Sequence, residues 1–144
     1  MSIRAKEDSV IKLYFDGEFE FVDEKTPEYV EIMDSLTYSL HTKYTQKMSD
    51  SIVYRGDEVV KIKEGAFQTE LWLLAKVVKK IVSVEDNGEL EVIEAPAKTE
   101  DFISTLSNLN SKFINKLLSK VKDVYGMAGK GKEEAEEDDE KLGE

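Results

Sequence analysis

The chain has 144 residues, 40% of them apolar and 35% charged, with 31 acidic against 20 basic side chains for a net charge of −11 at pH 7. Such a length fills one modest core, so a second independent domain is not expected. The lack of cysteine excludes disulfides and thiolate metal sites, and the acidic balance disfavours binding to nucleic acid phosphates, which depends on basic side chains releasing counterions.

Residues 1–7 read as a flexible N-terminus without the apolar run of a signal peptide. No segment approaches the ~20 apolar residues needed to cross a bilayer, and together these point to a cytoplasmic protein with no membrane segment. A single domain is expected over residues 8–125. It opens with Val10-Ile11-Lys12-Leu13-Tyr14-Phe15, then Asp16-Gly17, then Glu18-Phe19-Glu20-Phe21-Val22, an alternating pattern that predicts a β-hairpin. Bringing Ile11, Leu13, Phe15, Phe19 and Phe21 onto one face requires a bulged three-residue loop rather than a two-residue turn.

Thr26-Pro27-Glu28 then has the composition of a helix start, and Val30, Met33, Leu36, Leu40 and Tyr44 follow at helical spacing until about Met48. A second short hairpin is expected about Gly56-Asp57, between Ile52-Val53-Tyr54 and Val59-Val60-Lys61-Ile62. From Gly65 a second helix carries Phe67, Leu71, Leu74, Val78 and Ile81, with Trp72 beside them. Its β-branched end, 77–84, can give way to a strand that turns at Asp86-Asn87-Gly88 into Leu90-Glu91-Val92-Ile93.

Thr99, followed by Glu100 and Asp101, opens the strongest helical pattern, with Phe102, Leu106, Leu109, Phe113, Leu117, Val121 and Val124 on one side and Gly126 at the C-cap position. It would run about 38 Å at 1.5 Å per residue, longer than a small core covers, which leaves part of its apolar face available to a partner or a second copy of the chain. Residues 126–144 carry 3 basic against 8 acidic side chains and have almost nothing to bury, so they read as a disordered acidic tail. The fold class is therefore α+β: short antiparallel hairpins with three helices, the last long and amphipathic.

No constellation for chemistry stands out. His41 is the only histidine, and without an identifiable nucleophile it reads as a structural or surface residue. Carboxylates are too abundant for any one pair to be singled out as an acid/base couple. Asp86-Asn87-Gly88-Glu89 lacks the ligand spacing of a calcium loop, and Gly126 to Lys132 lacks the pattern of a phosphate-binding loop. Arg55-Gly56-Asp57 reads as part of a turn. Lys76, Lys79 and Lys80 form a small basic cluster near Trp72, as consistent with a solvated face as with a nucleic acid contact. No catalytic residue, cofactor or metal is expected, and partner binding is weighed above catalysis.

The order of elements, from the hairpin about Phe15-Asp16-Gly17-Glu18-Phe19, through helices at Thr26-Pro27-Glu28-Tyr29 and Glu70-Leu71-Trp72-Leu73-Leu74, to a long terminal helix and charged tail, resembles the small tail assembly chaperones of tailed bacteriophages. The resemblance covers residues 8–125 and rests on size, element order and acidity rather than on a motif. It implies a non-enzymatic protein of the host cytoplasm that coats a long helical tape-measure protein until the tail tube polymerises around it. Phe102, Leu106, Leu109 and Phe113 would then meet amphipathic client helices, or a second copy of the chain. The alternative is an acidic inhibitor that imitates DNA and occupies the basic groove of a nucleic-acid enzyme. A small enzyme with a carboxylate site is the third reading.

Overall fold

The computed structural model describes residues 9–56, 58–62 and 64–127; the N-terminus expected to be flexible, 1–7, and all but the first two residues of the expected acidic tail, 126–144, lie outside them. Five antiparallel strands form the main sheet in the order β2-β1-β3-β6-β7: β1 Val10–Phe15, β2 Phe21–Val22, β3 Tyr29–Met33, β6 Val78–Val84 and β7 Leu90–Glu94. A separate hairpin pairs β4 Ile52–Arg55 with β5 Glu58–Ile62. The helices are α1 Tyr38–Asp50, α2 Glu64–Val77, α3 Thr99–Ser107 and α4 Ser111–Val124. The α+β class is as the sequence predicts, with four helices rather than three. No helix among the described residues is long and apolar enough to cross a membrane.

One face of the sheet forms the core. Leu13 and Phe15 of β1, Val30 and Ile32 of β3, and Val78 and Ile81 of β6 are buried against Leu73, Leu74 and Val77 of α2, Phe102 and Leu106 of α3, and Phe113, Leu117 and Val121 of α4. Strand β6 follows α2 with no intervening loop, and a bulge opposite Glu31 and Ile32 of β3 makes this workable. Ile32 pairs with Val78 and Glu31 with Lys80, so Lys79 is the extra residue. It restores the alternation so that Val78 and Ile81, three apart, both reach the core.

Two sequence expectations are corrected here. The helix expected from Thr26 begins only after Thr37, and Tyr29–Met33 is a central strand. Thr26 has a turn role: its hydroxyl lies 2.8 Å from the Phe15 carbonyl and accepts from the Glu28 amide at 3.2 Å. Tyr29, Val30 and Ile32 suit a pleated surface, and Val30 and Ile32 reach the core from between two long neighbours. Thr37 is the true N-cap, accepting from the Leu40 amide at 3.1 Å.

The single long terminal helix is instead two. Asn108 ends α3, its side-chain amide donating to the Ser104 carbonyl at 2.9 Å. Asn110 then caps α4 by accepting from Lys112 and Phe113 amides at 2.9 and 3.3 Å. The break lets both halves lay an apolar side on the same sheet, so the surplus apolar face is buried by folding back. Helix α4 ends at Gly126 as expected, with φ of 70° and bonds from the Gly126 amide to the Asp123 carbonyl and from the Met127 amide to the Lys122 carbonyl.

Two tyrosines, Tyr44 buried and Tyr125 half-buried, tie the helices to one another and to the sheet. Tyr44 of α1 donates to Glu70 of α2 at 3.0 Å, and the second oxygen of Glu70 takes Lys122 of α4 at 2.9 Å. Tyr125 donates to the Met33 carbonyl at 2.6 Å. Burial, reinforced by the charges of Glu70 and Asp34 respectively, pushes both phenols well above their ordinary value. A raised folded-state value means that this stability is fully present below the unfolded tyrosine value of 10.0 and is lost as pH rises beyond it. Stability should therefore decline above pH 10.0, and in Tyr125→Phe it should start lower at neutral pH, for want of the bond to Met33, but decline less steeply, which urea denaturation at neutral and alkaline pH will read. Replacing the α4 cap, Asn110→Ala, should cost about 1 kcal/mol in urea denaturation without changing the far-ultraviolet spectrum.

Candidate functional site: an apolar cleft beside an edge strand

The two β-hairpin loops of the main sheet share one hydrogen-bond pattern. In the second, the Gly88 amide donates to the Glu85 carbonyl at 2.8 Å and the Glu85 amide to the Glu89 carbonyl at 2.8 Å, with Gly88 at φ 85°. In the first, the Phe19 amide donates to the Asp16 carbonyl at 3.0 Å and the Asp16 amide to the Glu20 carbonyl at 2.9 Å. The expected three-residue loop, residues 17–19, is therefore present. The left-handed position, however, falls on Phe19 at φ 64° and not on Gly17.

A bulky residue there costs about 1–2 kcal/mol relative to glycine. Several contacts hold it in place. The Asp16 carboxylate accepts from the Glu18 and Glu20 amides at 2.9 and 3.1 Å. The Phe19 ring packs edge-on against Phe113 at 5.5 Å and lies 6.5 Å from Phe15. Glu20 pairs with Lys116 of α4 at 2.6 Å, an exposed contact worth at most about 1 kcal/mol.

This corner is one wall of a cleft of about 140 Å³ between the sheet and the α3–α4 junction. Phe15, Phe19, Ile81, Ile93, Leu109 and Phe113 make it apolar, and Ser83, Asn110 and Glu91 supply its few polar groups. Strand β7, which contributes Ile93 and Glu91, ends the sheet, so its outer edge has no strand partner among the described residues. On its other face Leu90 and Val92 are 62% and 50% exposed. On that surface Tyr29 stacks edge-on with Tyr14 at 5.9 Å and lies under Lys12 and Lys80 at 4.7 and 5.9 Å.

The four residues expected to bind a partner separate. Phe102, Leu106 and Phe113 are at most 5% exposed and belong to the core, so the exposed stripe proposed for them is corrected: the helix break turns them inward. Leu109, at the break itself, remains half-buried and lines the cleft, with only an edge of Phe113 beside it. Phe19, Ile81 and Ile93 are site residues that sequence reasoning did not single out, although the hairpin alternation places Phe15 and Phe19 on one face. His41 is exposed on α1. Asp86, Asn87 and Gly88 form the turn described above, Gly56 is left-handed in the β4–β5 turn, and Asp57 lies outside the described residues.

Negative charge collects at the β6–β7 end. Glu85 sits against Glu91, and the hydrogen bond and like charge between them hold the Glu85 carboxyl above the usual carboxylate range, with Asp86 adding to the effect. Among the described residues, no group of three or more His, Asp or Glu side chains is arranged to hold a metal. Comparison with protein-family models, with curated proteins and with solved structures gives no match.

The strain at Phe19 is measurable. Phe19→Ala and Phe19→Gly both lose the ring contacts, but the glycine variant should be the more stable of the two by about 1 kcal/mol in urea denaturation.

Proposed function

We propose that this protein works by holding a partner protein, without covalent chemistry of its own, and that an apolar side chain of the partner seats in the cleft beside β7. The cleft is the observation that carries this reading. Its 140 Å³ is smaller than the ~300 Å³ at which small-molecule pockets begin, and suits an anchoring side chain. A partner that wraps over the edge of β7 also covers Leu90 and Val92, apolar side chains on an edge that soluble proteins usually protect.

An amphipathic helix that lays its apolar face into a groove is one established mode of such recognition. With the resemblance to tail assembly chaperones, it makes a long helical tape-measure protein the specific client proposed, held soluble by a strongly acidic carrier. The second reading, an acidic inhibitor that enters a basic groove, is favoured by the carboxylates Glu85, Asp86, Glu89 and Glu91 at one end of the sheet. Salt separates the two, because exposed charge contacts are screened and apolar burial is not.

The test is affinity capture from the native source with the wild-type chain and with Ser83→Phe, which plugs the cleft from the sheet side, washed at low and high salt. A helical structural protein retained at high salt by the wild type and lost from the variant is the expected result. A partner released by salt, or retained equally by both chains, overturns the cleft-anchored reading.

A further inference from the structure

A chain of net charge −11 nevertheless carries two lysine-lined troughs that share Lys76. One trough of about 270 Å³ lies between Met33, Leu40, Lys43, Lys76 and Lys79. A second, of about 500 Å³, shares Lys76 and adds Lys47, Trp72 and Lys98, with Glu100 as its one acidic member. Lys47 and Lys76 lie over the Trp72 ring at 5.2 and 5.9 Å. Of the cluster read from the sequence, Lys76 and Lys79 line this surface, whereas the bulge in β6 sends Lys80 through to Tyr29 on the other side of the sheet.

These lysines have no carboxylate partner among the described residues. The ion pairs among the described residues are Lys116 with Glu20 and Lys122 with Glu70, and neither involves Lys43, Lys47, Lys76, Lys79 or Lys98. Five cations lining two adjoining troughs of an acidic protein invite an anionic ligand.

The chain itself contains one. Residues 133–140 have seven carboxylates in eight positions. The point from which they depart is adjacent to the troughs, because Tyr125, the C-cap of α4, is hydrogen-bonded to the carbonyl of Met33, and Met33 lines the first trough. Five residues separate Met127 from Glu133, six steps along the chain with a reach of about 20 Å, and an extended eight-residue segment spans about 26 Å. We infer that residues 133–140 dock along this lysine surface of their own chain, from Lys43 and Lys79 toward Trp72 and Lys98, and so compete there with any other anionic ligand.

Within one chain the segment acts at a high effective concentration, so weak ion pairs suffice for occupancy at physiological ionic strength. The contact should be lost near 1 M salt, where the Debye length falls to about 3 Å.

The experiment is zero-length carbodiimide cross-linking of the full chain, as an equal mixture of ordinary and nitrogen-15-labelled protein, read by mass spectrometry. Same-chain links from 133–140 to Lys43, Lys47, Lys76, Lys79 or Lys98, absent at about 1 M salt and absent from Lys112 at the far end of α4, are expected. Links spread equally to Lys112, or found only between labelled and unlabelled chains, overturn the proposal. Emission of Trp72, the only tryptophan, gives a second readout. It should shift with salt in the wild type and stay constant in a chain with Glu133, Glu134, Glu136 and Glu137 changed to Gln. A single-stranded oligonucleotide should bind that variant more tightly than the wild type; equal binding to both would make the surface a nucleic-acid site open to solvent and overturn docking of the tail.

Discussion

The structure depends on one constraint: the apolar sides of the helices are buried against a single face of a five-stranded sheet. A two-layer arrangement of this kind has only one core, and each element is shaped by reaching it. The bulge in β6 lets a strand that begins directly after α2 keep both Val78 and Ile81 inward. The break at Asn108 and Asn110 lets a run of apolar residues too long for a straight helix bury Phe102 and Leu106 in one half and Phe113, Leu117 and Val121 in the other. Glu70 then joins three helices by accepting from Tyr44 and Lys122, so that its carboxylate is paired where it enters the packing.

The same constraint leaves surfaces uncovered. On the second face of the sheet Leu90 and Val92 of β7 remain exposed. The cleft is what remains between the end of the sheet and the turn from α3 to α4. Its wall includes a phenylalanine where the sister hairpin has a glycine. Phe19 accepts a strained backbone so that its ring reaches Phe113, and the strain is offset by the Asp16 carboxylate and the aromatic contacts.

Charge is distributed as unevenly as apolar surface. Carboxylates gather on the β6–β7 loop and in the C-terminal stretch of the sequence, while Lys43, Lys47, Lys76, Lys79 and Lys98 line the two troughs beside Trp72. Net charge alone conceals this separation, because a total of −11 averages over surfaces that face in different directions. The field near each surface is set by its own side chains within about 10 Å, the Debye length at ordinary salt.

The amino-acid sequence by itself determined the features that local interactions control. Alternation and turn residues specified both hairpins of the main sheet and the three-residue loop at 17–19, and Gly126 specified the end of α4, because these depend on hydrogen bonds between residues a few positions apart. It also placed the β-branched run 77–84 at the change from helix to strand. Tertiary structure alone decided that Tyr29–Met33 is a strand, since its apolar spacing fits a helix as well and only the flanking strands β1 and β6 choose between them. It also decided which apolar residues became site and which became core. Leu109 and Phe102 belong to one sequence pattern, yet a break three residues long leaves the first at the rim of a cleft and buries the second, because burial depends on which surfaces meet and not on spacing along the chain.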